Sequence, residues 1–338
     1  MSENVYLQSN EPEGNRVLAF RRDPDGTLTQ RGTFSTGGAG TGTPHLQSQG
    51  SVVLTGDGRH LHVANAGSGD LSVFATGEDA LTLLHTVPTG GGTPRSVTEQ
   101  GGLVYVLNTE GPSLAGFRLQ DGGFDPIPDT PRALPDGSDP AQVGFTPAGT
   151  GLVVTNRGTN SITLYPVDES GRLGEPVEQP SSGPTPYGFT FANHGILVVT
   201  EAFGAQKGKA AASSYVLSSR SIRPVSGSVG NGRSEICWAV ATNDGRYAFT
   251  TNFADGAVSR YAVNADGSLS LEDATAGIAV DGETGLRDED LSGDGRFLYV
   301  LNADSRRIFG WAVGDHCTLS PLGARDGPPA SAAGLAAS

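Results

Sequence analysis

The stretch Ser292-Gly-Asp-Gly-Arg-Phe-Leu-Tyr-Val-Leu-Asn302 decides the fold. It reads as a tight Gly-Asp-Gly turn followed by an apolar, aromatic-containing strand that stops on an asparagine. Thr55-Gly-Asp-Gly-Arg59 leads in the same way into Leu61-His-Val-Ala-Asn65, and Asn243-Asp-Gly-Arg246 leads towards Ala248-Phe-Thr-Thr-Asn252. With the strands ending at Asn10, Asn108, Asn156 and Glu201, the pattern occurs seven times at intervals of 43 to 55 residues. That interval fits one four-stranded propeller blade and its turns.

Each copy runs on into a strand rich in aromatic and branched residues, such as Leu71 to Phe74, Ile162 to Tyr165, Val258 to Tyr261 and Ile308 to Trp311. Asp-Gly pairs at Asp25-Gly26, Asp121-Gly122 and Asp266-Gly267 then turn the chain into a more polar fourth strand. The chain opens directly on a second strand, Val5 to Asn10, so its innermost strand is expected from Ala330 to Ser338, which follows Pro328-Pro329. Closing the ring with both termini removes open sheet edges. The expectation is therefore an all-β fold, a seven-bladed β-propeller of four-stranded antiparallel blades closed by the N- and C-terminal strands, with residues 1–338 forming a single domain.

Composition agrees with turns and strands: 50 Gly and 21 Pro among 338 residues disfavour a helical bundle. The apolar runs are all far shorter than a bilayer crossing requires. Net charge is −14, and the only lysines are Lys207 and Lys209, so no nucleic-acid or membrane partner is expected. Cys237 and Cys317 share no metal-binding spacing, and no zinc-hydrolase or serine-nucleophile motif is present. The run Gly37-Gly38-Ala39-Gly40-Thr41-Gly42 lacks the lysine and following helix of a phosphate loop. No basic and apolar leader is visible at Met1 to Asn10, which favours the cytoplasm as an expectation. The protein is expected to be a monomer.

In a propeller, the loops leading into the innermost strands and those joining second to third strands converge around the channel mouth, where ligands bind. Those loops carry Thr43-Pro-His45, Thr93-Pro-Arg95, Asp139-Pro-Ala-Gln142, Thr185-Pro-Tyr187, Ser234-Glu-Ile-Cys237 and Leu286-Arg-Asp-Glu289. The candidate catalytic residues are Glu201, Glu235 and His45, because a carboxyl or imidazole at a channel mouth can move a proton. Arg287, Arg95, Tyr187, Gln142 and Arg157 are the candidate substrate-binding residues, the arginines suiting carboxylate or phosphate. Glu201 stands out because six of the seven copies end in Asn there. The loop after it, Ala202 to Ala212, holds both lysines and is read as a lid over the channel. Cys237, beside Trp238, reads as an inert buried thiol.

The strand pattern, the Gly-Asp-Gly-Arg turns and the order of the lead-in loops resemble the lactonase family of seven-bladed propellers, which includes a bacterial 6-phosphogluconolactonase and a fungal enzyme cyclising 3-carboxymuconate. Glu201 matches the family's strand-ending Glu, Glu235-Ile236 its Ala-Glu-Ile segment, and Arg287-Asp288 its Pro-Arg-Asp segment. The family's Pro-His position is Pro140-Ala141-Gln142 here, and its Gly-Pro-Arg-His position is Thr185-Pro186-Tyr187-Gly188. Those histidines and that arginine are absent.

Two functions are compatible with this reading. One is a lactonase- or cyclase-like enzyme working on a small oxygenated, carboxylated compound, with Glu201 as general acid/base. The other is a non-catalytic propeller holding a small ligand or a protein on the same face. The retained Glu201, Glu235 and Arg287 favour the enzyme. No cofactor and no metal-ligand residues are expected, an oxygen-ligated divalent cation in the channel being left open because such sites leave little trace in sequence.

Overall fold

The computed structural model describes residues 3–44, 46–78, 80–120, 123–279 and 283–338. Seven antiparallel sheets follow one another along the chain, each running from an innermost strand outward in sequence order. Blade 4 is typical, with strands Pro140–Phe145, Gly151–Asn156, Ser161–Pro166 and Val177–Pro180. In blade 3 the outer position is shared, because both Gly123–Pro126 and Arg132–Ala133 pair with Ser113–Gln120. The Asp25-Gly26 and Asp266-Gly267 turns form as expected, with both glycines at positive φ. Asp121-Gly122 lies outside the described residues.

The first blade takes its innermost strand from the C-terminus. Ala333–Ala337 pairs with Asn4–Gln8, setting Val5 against Ala337 and Tyr6 against Ala336. The Ser338 amide donates to the Asn4 carbonyl at 2.9 Å. Arg22 reinforces this junction from beneath: its side chain is 2% exposed, lies over Phe297 of blade 7 and pairs with both Glu3 and Asp294 at 3.2 Å.

The asparagine that ends each second strand is a buried brace. Asn156 donates to Thr163 at 2.9 Å, Asn252 to Ser259 at 2.9 Å and Asn65 to Ser72 at 2.7 Å, tying second strand to third in blades 4, 6 and 2, whereas Asn10 and Asn302 donate to the loops at Thr43 and Thr284. The amide fits because its N–H₂ and C=O can meet a hydroxyl and a loop backbone together. Neighbouring blades are tied by the same economy at the channel. An innermost strand has one edge with no partner strand, and its N–H groups need acceptors. Val143 N–H donates to Ser96 Oγ at 3.1 Å, Phe189 N–H to Gln142 Oε1 at 2.6 Å and Ala241 N–H to Thr190 Oγ1 at 3.1 Å. At the closing seam the acceptors are carboxylates, Gly334 N–H donating to Asp288 and Ala337 N–H to Asp290, both at 2.9 Å.

Blade 2 departs from the pattern, and its innermost strand is only Val52–Leu54. The segment before it, residues 46–50, instead crosses the channel. Trp238 Nε1 donates to the Ser48 carbonyl at 3.1 Å, Ser48 Oγ donates to the Ala141 carbonyl, and Gln49 exchanges two hydrogen bonds with the Ala239 backbone at 2.8 and 3.1 Å. This floor separates the channel mouth from a lower chamber.

Two outcomes test the fold. Deleting residues 329–338 should expose the Asn4–Gln8 edge and cost several kcal/mol, most of a domain's usual margin, read as a fall in melting temperature. His62 is fully buried between blades 2 and 3, packs edge-on to Phe124 and has no partner on either ring nitrogen, and burial pushes its pKa down to about 3. The unfolded chain protonates this imidazole near its ordinary value of about 6.5 while the folded chain does not, so the stability present above that pH is lost as pH falls. The His62→Leu variant should therefore gain stability relative to the parent between about pH 6.5 and pH 4, as followed by thermal melting at a series of pH values.

Candidate functional site

A single backbone device builds the channel mouth. In five blades the residue two positions before the mouth side chain has positive φ: Thr93, Asp139, Thr185, Glu235 and Gly285. The register of each innermost strand then slips at the mouth position, between Pro94 and Ser96, Pro140 and Gln142, Pro186 and Phe189, Ile236 and Trp238, and Leu286 and Glu289. Such a bulge re-aims the extra side chain out of the ladder. The equivalent residues set around the mouth are Arg95, Ala141, Tyr187, Cys237 and Arg287.

Tyr187 is the centre of this group. It is 4% exposed, its ring lies 5.6 Å from that of Trp238, and the Arg157 guanidinium sits 5.1 Å over its other side. The hydroxyl has no hydrogen-bond partner, and burial pushes its pKa well above the ordinary value. Arg157 follows the brace Asn156 and is held by Asp139 at 2.7 Å. Arg287 is 3% exposed, lies 5.5 Å from the Phe253 ring and gives Nη2 to Asp304 at 2.9 Å, leaving Nε and Nη1 without partners. Arg95 also has a buried Nε with no partner. Burial lowers the pKa of both Arg95 and Arg287, and for Arg95 the positive charge of Arg157 lowers it further. Arg95 and Arg287 therefore keep unmet donors near Tyr187, whereas all three Arg157 nitrogens are taken by Asp139 and Gln47.

Glu235 brings the accessible carboxylate. It is half-buried at the kinked lead-in position of blade 6, where its backbone carbonyl accepts from Phe253 N–H at 2.9 Å. Burial raises its pKa first, and the nearby charge of Asp255 adds to this. Its charge also helps raise the buried Cys237 thiol, after the larger effect of burial, so Cys237 is the inert thiol expected. Asp288 follows Arg287 and is pushed up to about 6 by burial, but its Oδ2 is occupied by Gly334 N–H.

Three expectations change on this geometry. Glu201 does not face the mouth: it is fully buried within blade 5, where Ser213 donates to it at 2.6 Å, Ser228 at 2.5 Å, Ser181 at 3.3 Å and Gly183 N–H at 2.8 Å. It is the blade's brace, in the role asparagine plays elsewhere, with extra hydroxyls supplied to suit a carboxylate. Gln142 is likewise occupied, its amide accepting from Phe189 N–H and donating to Phe189 O at 3.1 Å, and the mouth equivalent in blade 4 is Ala141. The loop after Glu201 forms a short turn at Phe203–Ala205, and Lys207 and Lys209 project from it exposed rather than across the channel. His45 lies outside the described residues. The structure thus brings together Arg95, Arg157, Tyr187 and Arg287, while Glu235 lies on the lead-in segment of blade 6 close to Cys237. Phe253, expected on the rim as the successor of a strand-ending Asn, lies beside Arg287, and the structure adds Trp238, whose only sequence signal was aromatic character beside a lead-in loop. Among the described residues no group of three or more His, Cys, Asp or Glu is arranged to hold a metal ion, and no helix is long and apolar enough to cross a membrane.

The family model for the lactonase, 7-bladed beta-propeller, matches residues 6–123 and 123–202, more than half of the chain. The chain belongs to the lactonase family of seven-bladed β-propellers. The match ends before Glu235, Cys237 and Arg287, so the family likeness and half of the mouth occupy different parts of this lactonase-family chain. Among solved structures it resembles the periplasmic gluconolactonase of Pseudomonas aeruginosa, at 19% identity and a TM-score of 0.75, covering 100% of this chain and 99% of that one. A candidate 6-phosphogluconolactonase from Bacteroides fragilis gives 19% identity and 0.74, covering 100% and 98%. A functionally unknown protein from Desulfotomaculum acetoxidans gives 15% and 0.78, covering 100% and 99%. At these identities the likeness is one of fold. No curated protein matches by sequence.

The brace role of Glu201 has a direct check. Glu201→Ala leaves the buried Ser213 and Gly183 donors, and the less buried Ser181 and Ser228 hydroxyls, without their acceptor and should lower stability by about 2–4 kcal/mol, measured by denaturant unfolding, whereas an exposed carboxylate at a loop would be lost with little effect.

Proposed function

We propose that the protein is a lactonase-type enzyme that opens, or in the reverse sense closes, the lactone ring of a small carboxylated compound at the channel mouth. The observation that carries this reading is the set of unpartnered donors, Arg95 Nε, Arg287 Nε and Nη1 and the Tyr187 hydroxyl, on the lead-in segments of three blades, with the half-buried Glu235 on the lead-in segment of a fourth. Buried donors without acceptors are costly to leave unmet, so a site of this kind is complementary to an anion. Guanidinium forks suit a planar carboxylate, and the half-buried Phe253 ring beside Arg287 offers an apolar surface for a carbon ring.

The chemistry needs one proton acceptor and one place for developing negative charge. Glu235 as carboxylate takes a proton from water while the water oxygen attacks the lactone carbonyl. As the ring C–O bond breaks, the proton returns from Glu235 to the departing ring oxygen, and the products are a hydroxyl and a carboxylic acid, which gives its proton to solvent to become a carboxylate. The raised pKa of Glu235 makes it a better base near neutrality than an ordinary surface carboxylate. Arg287 and Arg95 hold the anionic substituent and the charge that gathers on the carbonyl oxygen, as fixed donors do in oxyanion sites. Cyclisation uses the same groups in reverse, Glu235 as carboxylate taking the proton of the attacking hydroxyl and returning it to the departing water. This assignment replaces Glu201 by Glu235 and needs no cofactor. A binding propeller without catalysis is the second reading, favoured by the mouth having a single half-buried carboxyl among its described residues.

A panel of carboxylated and neutral lactones tested with purified protein separates these readings. Hydrolysis confined to carboxylated members is expected. Glu235→Gln should lower kcat by about 10²- to 10⁴-fold with little change in KM, the usual worth of a general base. Arg287→Lys should instead chiefly raise KM, because a point charge replaces a fork. Unimpaired turnover in Glu235→Gln would remove Glu235 from the mechanism, and binding of a carboxylated lactone without turnover would support the second reading.

A further inference from the structure

The turn joining the second and third strands of blade 6, Asn252-Phe-Ala-Asp-Gly256, grips the lead-in segment of its own blade at two points. Phe253 N–H donates to the Glu235 carbonyl at 2.9 Å, and Asp255 Oδ2 accepts from Ser234 N–H at 2.5 Å. The first contact recurs in the fold: Arg157 N–H meets the Asp139 carbonyl at 3.1 Å in blade 4, and Ala202 N–H the Thr185 carbonyl at 3.0 Å in blade 5. The second uses a carboxylate where an amide would serve. On the lead-in segment of blade 5, Thr185 N–H is held at 2.7 Å by the side-chain oxygen of Asn160. The two contacts bracket Glu235, a residue with a φ of 55° that a side chain makes unfavourable, and so fix the direction in which its carboxyl leaves the backbone.

In blade 7 the corresponding turn also supplies an aspartate, but that one meets a cation: Asp304 accepts from Thr284 at 3.0 Å and pairs with Arg287 at 2.9 Å. Asp255 is half-buried, pairs with no arginine or lysine among the described residues, and its charge acts on the half-buried Glu235. Two like charges oppose each other's ionisation, so an asparagine at 255 would hold Ser234 as well with less opposition. The charge of Asp255 is therefore not needed by the fold. The other titratable groups on the segments that meet here are Arg233 and Cys237 beside Glu235 in sequence, Glu283 and Arg287 on the lead-in of blade 7, whose Gly285 N–H donates to the Phe253 carbonyl at 2.9 Å, and Lys207 and Lys209, exposed on either side of Gly208, which donates to Ser234 Oγ at 3.1 Å. Among the charges, it is Asp255 that adds to burial in holding the Glu235 carboxyl above the usual range.

We propose that Asp255 is a positioning residue for Glu235, holding the Ser234 amide that orients it and setting a second negative charge beside its carboxyl. Through the first contact Asp255 aims the base, and through the second it strengthens it, because a carboxylate that binds its proton more firmly takes one from water more readily near neutrality. Asp255 itself touches no substrate in this arrangement. The inference rests on the reading of Glu235 as the general base.

Carbon-13 NMR titration of the glutamate carboxyls in the full chain, with the Glu235 signal identified by its loss in Glu235→Gln, tests this without any substrate. In Asp255→Asn the Glu235 signal should titrate at lower pH than in the parent while the melting temperature stays the same, since the amide oxygen still accepts from Ser234 N–H. With paraconate, a five-membered lactone bearing one carboxylate, kcat/KM of Asp255→Asn should rise by about 2- to 5-fold on the acid side of the pH profile, the effect of removing one like charge a few ångströms away in water. At the plateau it should fall, because Glu235 is then the weaker base. Asp255→Ala should move the titration in the same direction and also lower the melting temperature, and Asp255→Glu should return the titration towards that of the parent. A Glu235 titration unmoved in Asp255→Asn would overturn the inference, as would a marked fall in the melting temperature of that variant, which would make the charge structural. A shifted titration without turnover of any lactone would remove the catalytic reading of Glu235 and leave the action of Asp255 upon it standing. Turnover with an unshifted titration would do the reverse.

Discussion

The unpaired edge of the innermost strand is the constraint on which this molecule depends. Each blade has at least four strands, and the outward-turned edge of its innermost strand faces the axis with donors that no further strand takes. The protein answers with side chains from the adjacent blade, Ser96, Thr98, Gln142 and Thr190 taking N–H groups around the ring. Where the chain must close on itself, the acceptors become the carboxylates of Asp288 and Asp290, which grip the C-terminal strand more strongly than a hydroxyl would. Their raised pKa values express the other half of that arrangement, since burial disfavours the charge that makes them good acceptors.

The same edge explains why a site can exist at one end of the channel. A regular ladder would keep each innermost side chain pressed between blades. The positive-φ residue and the bulge that follows it release one residue per blade towards the mouth, and the identity of that residue is then free to vary: Arg95, Ala141, Tyr187, Cys237, Arg287. Structural positions just below are not free, because they hold the ring together. Gln142 and Arg287 look alike in sequence, as polar residues near the start of an innermost strand, yet one is committed to the neighbouring backbone and the other keeps two N–H groups open.

This is why the fold was legible in the sequence and the site only partly so. The recurring Asn, the Gly-Asp-Gly turns and the strand alternation are local signals repeated seven times, so each copy corrects errors in reading the others. Glu201 misled because a lone Glu among asparagines looks like a functional departure. What reveals it as a brace is Ser181, Ser213 and Ser228, three hydroxyls from separate strands and loops that share no spacing in sequence. The one-residue offset between Ala141 and Gln142 depends on where the bulge falls, which side-chain type does not record. The channel-crossing path of residues 46–50 had no signal at all, since it replaces part of a strand with a Gly- and Ser-containing segment that reads as an ordinary loop.

The electrostatic design along the axis then follows from charge placement rather than total charge. A chain with a net charge of −14 would repel anions at long range. Arg95, Arg157 and Arg287 reverse the sign locally at the mouth, where burial keeps solvent from screening them, and only Arg157 and Arg287 are offset by carboxylates at 2.7 and 2.9 Å. Beneath the neutral amide floor the positive charge ends, the wall there carrying Asp288, Glu289 and Asp290, whose ionisation burial opposes, and no arginine, lysine or histidine. An anion therefore meets favourable charge at the mouth and none below it, a difference that keeps it with the arginines without any side chain having to block the channel.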